Sequence, residues 1–136
     1  MTSQIDLHMT SKTKVFYIED EPDIREIVCM ALELADDIVS ESIGSGHEAL
    51  QRVQEFKPDV ILLDVMMPEM DGPTTLQELR KIPATADTPV VFTTAKVQRT
   101  EVDRLMSLGA IAVIPKPFDP LTLAEQVKDI LQRHHG

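Results

Sequence analysis

The sequence is short of the residues that define several large protein classes. It has one cysteine, Cys29, so no internal disulfide is available, which fits a reducing cytosol. Basic residues are few: 13 Lys and Arg stand against 23 Asp and Glu, a formal charge of −10. Phosphate backbones are bound by clustered Lys and Arg, so direct binding of nucleic acid by this chain is not expected. No apolar run approaches the ~20 residues of a membrane span, and no stretch reads as a signal peptide, so no membrane partner is expected either. Internal repeats and low-complexity linkers are missing too. What is left is one compact domain with a core of useful size.

What the chain does have is alternation. Residues 1–12 are polar and aperiodic and read as a disordered leader or a remnant of expression, with His8-Met9 as a scar or an internal start. Residues 14–18 form a β-branched and aromatic run that ends in Glu19-Asp20-Glu21-Pro22, where proline and acids favour a helix start. Ile24, Ile27, Val28, Ala31 and Leu32 then mark one apolar helical stripe. Cys29, beside that stripe, reads as a buried small hydrophobe rather than a reactive thiol.

A second strand spans 38–43, followed by a Gly44-Ser45-Gly46 turn. The second helix carries Ala49, Leu50, Val53 and Phe56 and stops at Lys57-Pro58. The third strand, 60–64, ends in Asp64. Leu76, Leu79 and Ile82 mark a short third helix closed by Pro83 and residues 84–88. Residues 89–95 form the fourth strand. Val102, Leu105, Met106 and Leu108 mark the fourth helix, ended by Gly109. A fifth strand over 110–114 precedes Pro115-Lys116-Pro117. Leu123, Val127, Ile130 and Leu131 define the last helix, with His134-His135-Gly136 as tail. Five strand–helix alternations with short connections predict an α/β fold: a parallel sheet, helices on both faces and right-handed crossovers.

Open sheets of this kind bind ligands at the carboxyl ends of their strands. There the first strand offers Glu19 and Asp20, the third Asp64, the fourth Thr94 and the fifth Lys116. Two like charges ~4 Å apart repel by about 4 kcal/mol at an effective dielectric of 20. Converging carboxylates therefore rise in pKa or recruit a cation. Mg²⁺ suits such a set, with Mn²⁺ as the alternative. A cation there would neutralise an incoming phosphoryl group and leave a carboxylate oxygen free to attack phosphorus. Thr94 is placed to donate to one phosphoryl oxygen and Lys116 to pair with another. These roles fit phosphoryl transfer to Asp64.

Here the chain resembles the receiver domain of bacterial two-component response regulators, in particular the single-domain chemotaxis type. The matching pieces are Ile18-Glu19-Asp20-Glu21-Pro22, Leu62-Leu63-Asp64-Val65-Met66-Met67-Pro68 with Asp71-Gly72, Thr94-Ala95, and Gly109-Ala110 through Lys116-Pro117-Phe118. Each motif is weak alone; in this order and spacing they are specific. The resemblance implies a receiver domain over 13–134 with a flavodoxin-like, doubly wound five-stranded sheet of order 2-1-3-4-5. It implies that a histidine kinase or phosphotransfer protein passes a phosphoryl group to Asp64 in the cytoplasm. Glu19, Asp20 and Asp64 would serve the metal with the Met66 backbone carbonyl, Glu19 mainly through water. Thr94 and Lys116 would sense the phosphoryl group, the Lys116–Pro117 bond is one that is often cis in the family, and slow self-dephosphorylation would reset the domain. No enzyme activity beyond this is expected.

The output partner would be met on the face of the fourth helix, fifth strand and fifth helix, with Arg99, Glu101, Asp103, Arg104 and Lys128. Mixed charge there permits a phosphorylation-dependent homodimer without requiring one. One departure from the family is Val113, where many members carry a Tyr or Phe that rotates when the threonine moves.

Other readings are weaker. Gly44-Ser45-Gly46-His47-Glu48-Ala49 satisfies G-x-G-x-x-A, with Asp64 about twenty residues on as a ribose-binding acid would be. That reading leaves Glu19, Asp20, Thr94 and Lys116 unused. Asp71 reads as a turn residue, His47 as exposed, and Met66, Met67 and Met70 as loop packing. A Mg²⁺-dependent phosphohydrolase would carry a second acid two residues after its nucleophile, where this chain has Met66. The chain also reads as a receiver fragment of a longer regulator or hybrid kinase.

Overall fold

The computed structural model describes residues 12–135, so the expected leader and the His8-Met9 pair lie, Lys12 apart, outside the described residues. Strand β1 (Thr13–Ile18) is followed by helix α1 (Pro22–Leu32), β2 (Ile38–Ile43), α2 (Gly46–Phe56), β3 (Val60–Asp64) and α3 (Gly72–Arg80). A 3₁₀ turn (Pro83–Thr85) leads to β4 (Val90–Thr94), α4 (Arg99–Ser107), β5 (Ala112–Pro115) and α5 (Pro120–His135). The strands pair in parallel in the order β2-β1-β3-β4-β5, the order that the family resemblance implies. Among the described residues, no helix is long and apolar enough to cross a membrane.

Strand alternation divides the core into two layers. Phe16, Ile18, Ile61, Leu63 and Phe92 point to one side and meet Val53 of α2, Leu76 and Leu79 of α3, and Leu105 of α4. Val15, Tyr17, Leu62, Val91 and Ile114 point to the other and meet Val28 and Leu32 of α1, and Leu123, Val127 and Leu131 of α5. Because helices cover both sides, β3 is buried along its whole length, which is why its sequence is a continuous apolar run.

The Gly44-Ser45-Gly46 turn is a helix cap. Ser45 Oγ accepts the Glu48 N–H at 3.2 Å and caps the start of α2, while its hydroxyl donates to Glu48 Oε1 at 3.2 Å. Asp71 does the same work for α3, its Oδ1 accepting the Thr74 N–H at 2.9 Å.

Several local expectations need correction. Ile27 is 53% exposed, because α1 meets the sheet through Val28, Ala31 and Leu32, one edge of the expected stripe. Cys29 is half-buried, not buried. On α4 only Leu105 is buried; Met106, and Leu108 just past its end, are exposed, so the expected stripe narrows to one side chain that meets the core. Strand β5 starts two residues later than expected. Gly109, at φ +112°, reverses the chain after α4, and the ladder with β4 resumes only where the Ile111 N–H reaches the Val90 carbonyl. Ile82 lies beyond α3, ahead of the 3₁₀ turn, and His134 and His135 continue α5 instead of forming a tail.

Candidate functional site

Strand register assembles the site. Ile18 pairs with Leu63, and Asp64 pairs with Thr93. The next residue after Ile18, Glu19, therefore stands beside Asp64 at the carboxyl edge. Thr94 pairs with Pro115, which brings Lys116 to the same edge one position further on. Three strands thus deliver their terminal side chains to one crevice.

Glu19 is fully buried and Asp64 is 4% exposed, while Asp20 is half-buried. Lys116 Nζ donates to Glu19 Oε1 at 2.8 Å and lies 3.4 Å from Asp64 Oδ1, tying the two acids together. The Tyr17 hydroxyl donates to the same Glu19 oxygen at 3.1 Å, and the Glu21 N–H reaches Glu19 Oε2 at 3.3 Å. Arg25 Nη1 donates to the Glu19 backbone carbonyl at 2.8 Å and pins the β1–α1 connection.

Burial drives the electrostatics. It raises Asp64 to about 6, with the charges of Glu19 and Asp20 adding to the rise and Lys116 opposing it. Burial alone would lower Lys116, but its hydrogen bond to Glu19 and the charges of Asp64 and Glu19 outweigh that and raise it. Burial, then Glu19, also pushes the Tyr17 phenol well above its ordinary value.

One carboxylate oxygen from each of Glu19, Asp20 and Asp64 lies within 4.8 Å of the others. Three hard oxygen donors, balanced by a single ammonium, form a donor set that fits Mg²⁺. Among the described residues, Thr93 Oγ1 is the one buried side-chain oxygen or nitrogen with no hydrogen-bond partner, and it sits beside Asp64 across the β3–β4 ladder.

The loop after Asp64 is held by a close approach. The Gly72 N–H donates to the Val65 carbonyl at 2.8 Å, and a Cβ on Gly72 would fall 2.5 Å from the Asp64 carbonyl oxygen. Met66, two residues after Asp64, is exposed.

The structure therefore brings Glu19, Asp20, Asp64 and Lys116 together. Thr94 is buried at the same edge, but its Oγ1 accepts the Lys96 N–H at 3.1 Å, within its own loop. Lys128, expected on the outer face with the α4 charges, turns the other way to Asp37 at 3.2 Å. On α4 itself Arg104 pairs with Glu101 at 2.9 Å and Arg99 approaches Asp103 at 3.9 Å. Val113 is half-buried against the layer that holds Leu105. Sequence reading missed Tyr17 and Arg25. The signal for Tyr17 was its position two residues before Glu19 on one strand, hence on the same face. Nothing comparable marks Arg25.

The family model of the response regulator receiver domain matches residues 15–128. The transcriptional regulatory protein BaeR of Escherichia coli O6:H1 is 37% identical over 122 residues, covering 88% of this chain and 48% of that protein. The CpxR homolog of Haemophilus influenzae is 37% identical over 123 residues, covering 89% of this chain and 51% of that protein. The chain spans about half the length of these curated relatives. Among solved structures, the chemotaxis protein CheY4 of Vibrio cholerae superposes with a TM-score of 0.80 at 29% identity, covering 88% of this chain and 98% of that one. Response regulators receive phosphoryl groups from histidine kinases and act on output partners, and their receiver domains bind Mg²⁺ at an acidic pocket. With a five-stranded sheet of the same order and an acidic crevice at its carboxyl edge, this chain belongs to the response regulator receiver family, whose domains are signalling domains rather than dedicated enzymes.

Proposed function

We propose that the chain accepts a phosphoryl group onto Asp64 from a histidine kinase or phosphotransfer protein, and that the aspartyl phosphate changes partner binding at the face of α4, β5 and α5. The observation that carries this reading is the Lys116 ammonium held between Glu19 and Asp64 at the rim of the carboxylate cluster. Glu19, Asp20, Asp64 and the Met66 backbone carbonyl would hold Mg²⁺, which supplies charge neutralisation for the incoming phosphoryl group. With its carboxyl raised to about 6, Asp64 is mainly ionised at pH 7 and able to act as nucleophile. Its oxygen forms the new bond to phosphorus as the donor's P–N bond breaks, and the departing imidazole nitrogen keeps the electron pair and takes a proton.

Lys116 then exchanges its Asp64 contact for a phosphoryl oxygen. Thr94 Oγ1 accepts the Lys96 N–H and, as a hydroxyl, still has its own proton to donate to another phosphoryl oxygen. A shift of Thr94 toward the phosphoryl group would pull on the Lys96 N–H and so on the loop leading into α4, whose one fully buried side chain is Leu105. With Val113 in place of a rotating aromatic, the loop and α4 carry the signal outward.

The test is mass spectrometry after incubation with Mg²⁺ and a small acyl phosphate or phosphoramidate. One phosphoryl adduct is expected on the wild type and none on Asp64→Asn. A wild type that stays unmodified with metal present overturns the reading. Slow loss of the adduct, without steady turnover of phosphate esters, separates this reading from a phosphohydrolase.

A second reading concerns the whole protein. Because the curated relatives are about twice as long, and are named as transcriptional regulators, this chain is also read as the receiver part of a longer regulator. DNA binding would then belong to a further segment. The charge of −10 bears only on the present chain.

A further inference from the structure

The Tyr17 hydroxyl stands out among the groups around the crevice, because the phosphoryl-transfer reading gives it no part. Its ring is fully buried beneath α1 and α5, and its hydroxyl reaches the carboxyl edge to donate to Glu19 Oε1 at 3.1 Å. A carboxylate has about four acceptor positions. On Glu19, Tyr17 and Lys116 occupy both positions of Oε1, and the Glu21 N–H occupies one of Oε2. A single acceptor position is left, on Oε2. The two donors on Oε1 also oppose rotation of the carboxylate, since turning it would leave a buried hydroxyl unpaired.

We propose that Tyr17 is a positioning residue for the acidic site. By fixing Glu19 it leaves one defined acceptor position for the cation or a cation-bound water, and it keeps Glu19 in place as the resting partner of Lys116. The inference rests on the proposed phosphoryl-acceptor reading. Removing a hydrogen bond behind a metal-site carboxylate typically weakens metal binding at least tenfold. Tyr17→Phe preserves the ring and the packing, so it isolates the hydroxyl.

The chain supplies its own reporter. Tyr17 is the sole tyrosine and there is no tryptophan, so tyrosine emission comes from this residue alone. A carboxylate hydrogen-bonded to a phenol quenches its fluorescence. Mg²⁺ draws the charge of Glu19 toward itself and weakens that bond, so emission rises.

The experiment has two arms. Wild-type protein is titrated with Mg²⁺ while tyrosine emission and binding heat are both followed. Tyr17→Phe is titrated by calorimetry, with circular dichroism of the metal-free variant as the check on folding. The expected result is a saturable rise in wild-type emission whose midpoint matches the calorimetric one, and about tenfold weaker Mg²⁺ binding in the folded variant. Normal Mg²⁺ binding by the wild type with flat tyrosine emission overturns this inference alone, whatever the variant does. So does equal affinity in a folded Tyr17→Phe. Failure of the wild type to bind Mg²⁺ at all overturns both this inference and the reading beneath it.

Discussion

Leu63 and Asp64 are neighbours on β3, nearly equally buried, and under opposite constraints. Leu63 lies among Phe16, Ile18, Leu76 and Phe92, where each apolar contact adds to the next. Asp64 has lost almost as much water, yet its surroundings are Glu19, Asp20 and one lysine that it shares. The same contrast separates Ile18, the last residue of β1, from Glu19 just past it, and Phe92 from Thr93 on β4. One residue is the width of the border. Inside it the sheet follows packing, and outside it the chain holds charge and an unpaired hydroxyl in an arrangement that packing alone would not select. The interior must therefore offset what the edge costs, a division expected where a site is preorganised for a ligand.

That contrast is open to attack from both sides. The largest effect is expected from Leu63→Ala, which should cost ~2–5 kcal/mol in urea unfolding through the cavity it leaves. Next is Gly72→Ala. Its new Cβ meets the Asp64 carbonyl oxygen at 2.5 Å, so the backbone must give way at a cost of about 1–3 kcal/mol. Because that backbone carries the proposed acceptor Asp64, phosphorylation by a small donor should slow as well.

Asp64→Asn should act in the other direction. Between the ordinary carboxyl value of 3.8 and the raised value of about 6, the folded protein holds a proton that the unfolded chain has released. Stability of the metal-free protein therefore falls as pH rises through that window and stays lower above it. Asp64→Asn lacks this slope and should gain about 2 kcal/mol at pH 7, against an upper bound of about 3 kcal/mol for the full shift. Urea midpoints measured from pH 4 to 7 with chelator present would read both effects. A wild type whose stability climbs over that range contradicts the assignment. The smallest effect belongs to Thr93→Val, which replaces an unpartnered buried hydroxyl with a methyl and should raise stability by about 1 kcal/mol or less. A loss there would mean that the hydroxyl has a partner in solution.

The sequence marked the border well where a strand passes from apolar run to acid. The bounds expected for the second and third strands, 38–43 and 60–64, are those observed, because both faces of β3 are covered and β2 is bracketed by turns. It served less well where a residue's meaning depends on what lies across from it. Met106 and Leu108 carry a helical period but find no sheet beneath them, and Ile27 sits just outside the contact arc of α1. Gly109 was legible as a helix end, but not the two further residues needed before β5 rejoins the ladder. At the site, Glu19, Asp20, Asp64 and Lys116 were readable because strand ends share an edge. The partners on Glu19 were not, since Tyr17 in a strand reads as packing until its hydroxyl is placed. The hydrogen bond from Lys96 to Thr94 was equally hidden, because a threonine at a strand end gives no sign of which neighbour engages it.

The ion pair between Lys116 and Glu19 joins residues 97 positions apart, and the contact of Lys116 with Asp64 spans 52. Contacts of such long range form late, because a large loop must be ordered before they repay it. A chain still emerging from the ribosome can hold β1, β3 and both acids, yet it has no ammonium between them until β5 has docked on β4. Completion of the fold is thus a precondition for bringing Lys116 to the two acids, and a half-made or locally unravelled copy should lack the assembled crevice.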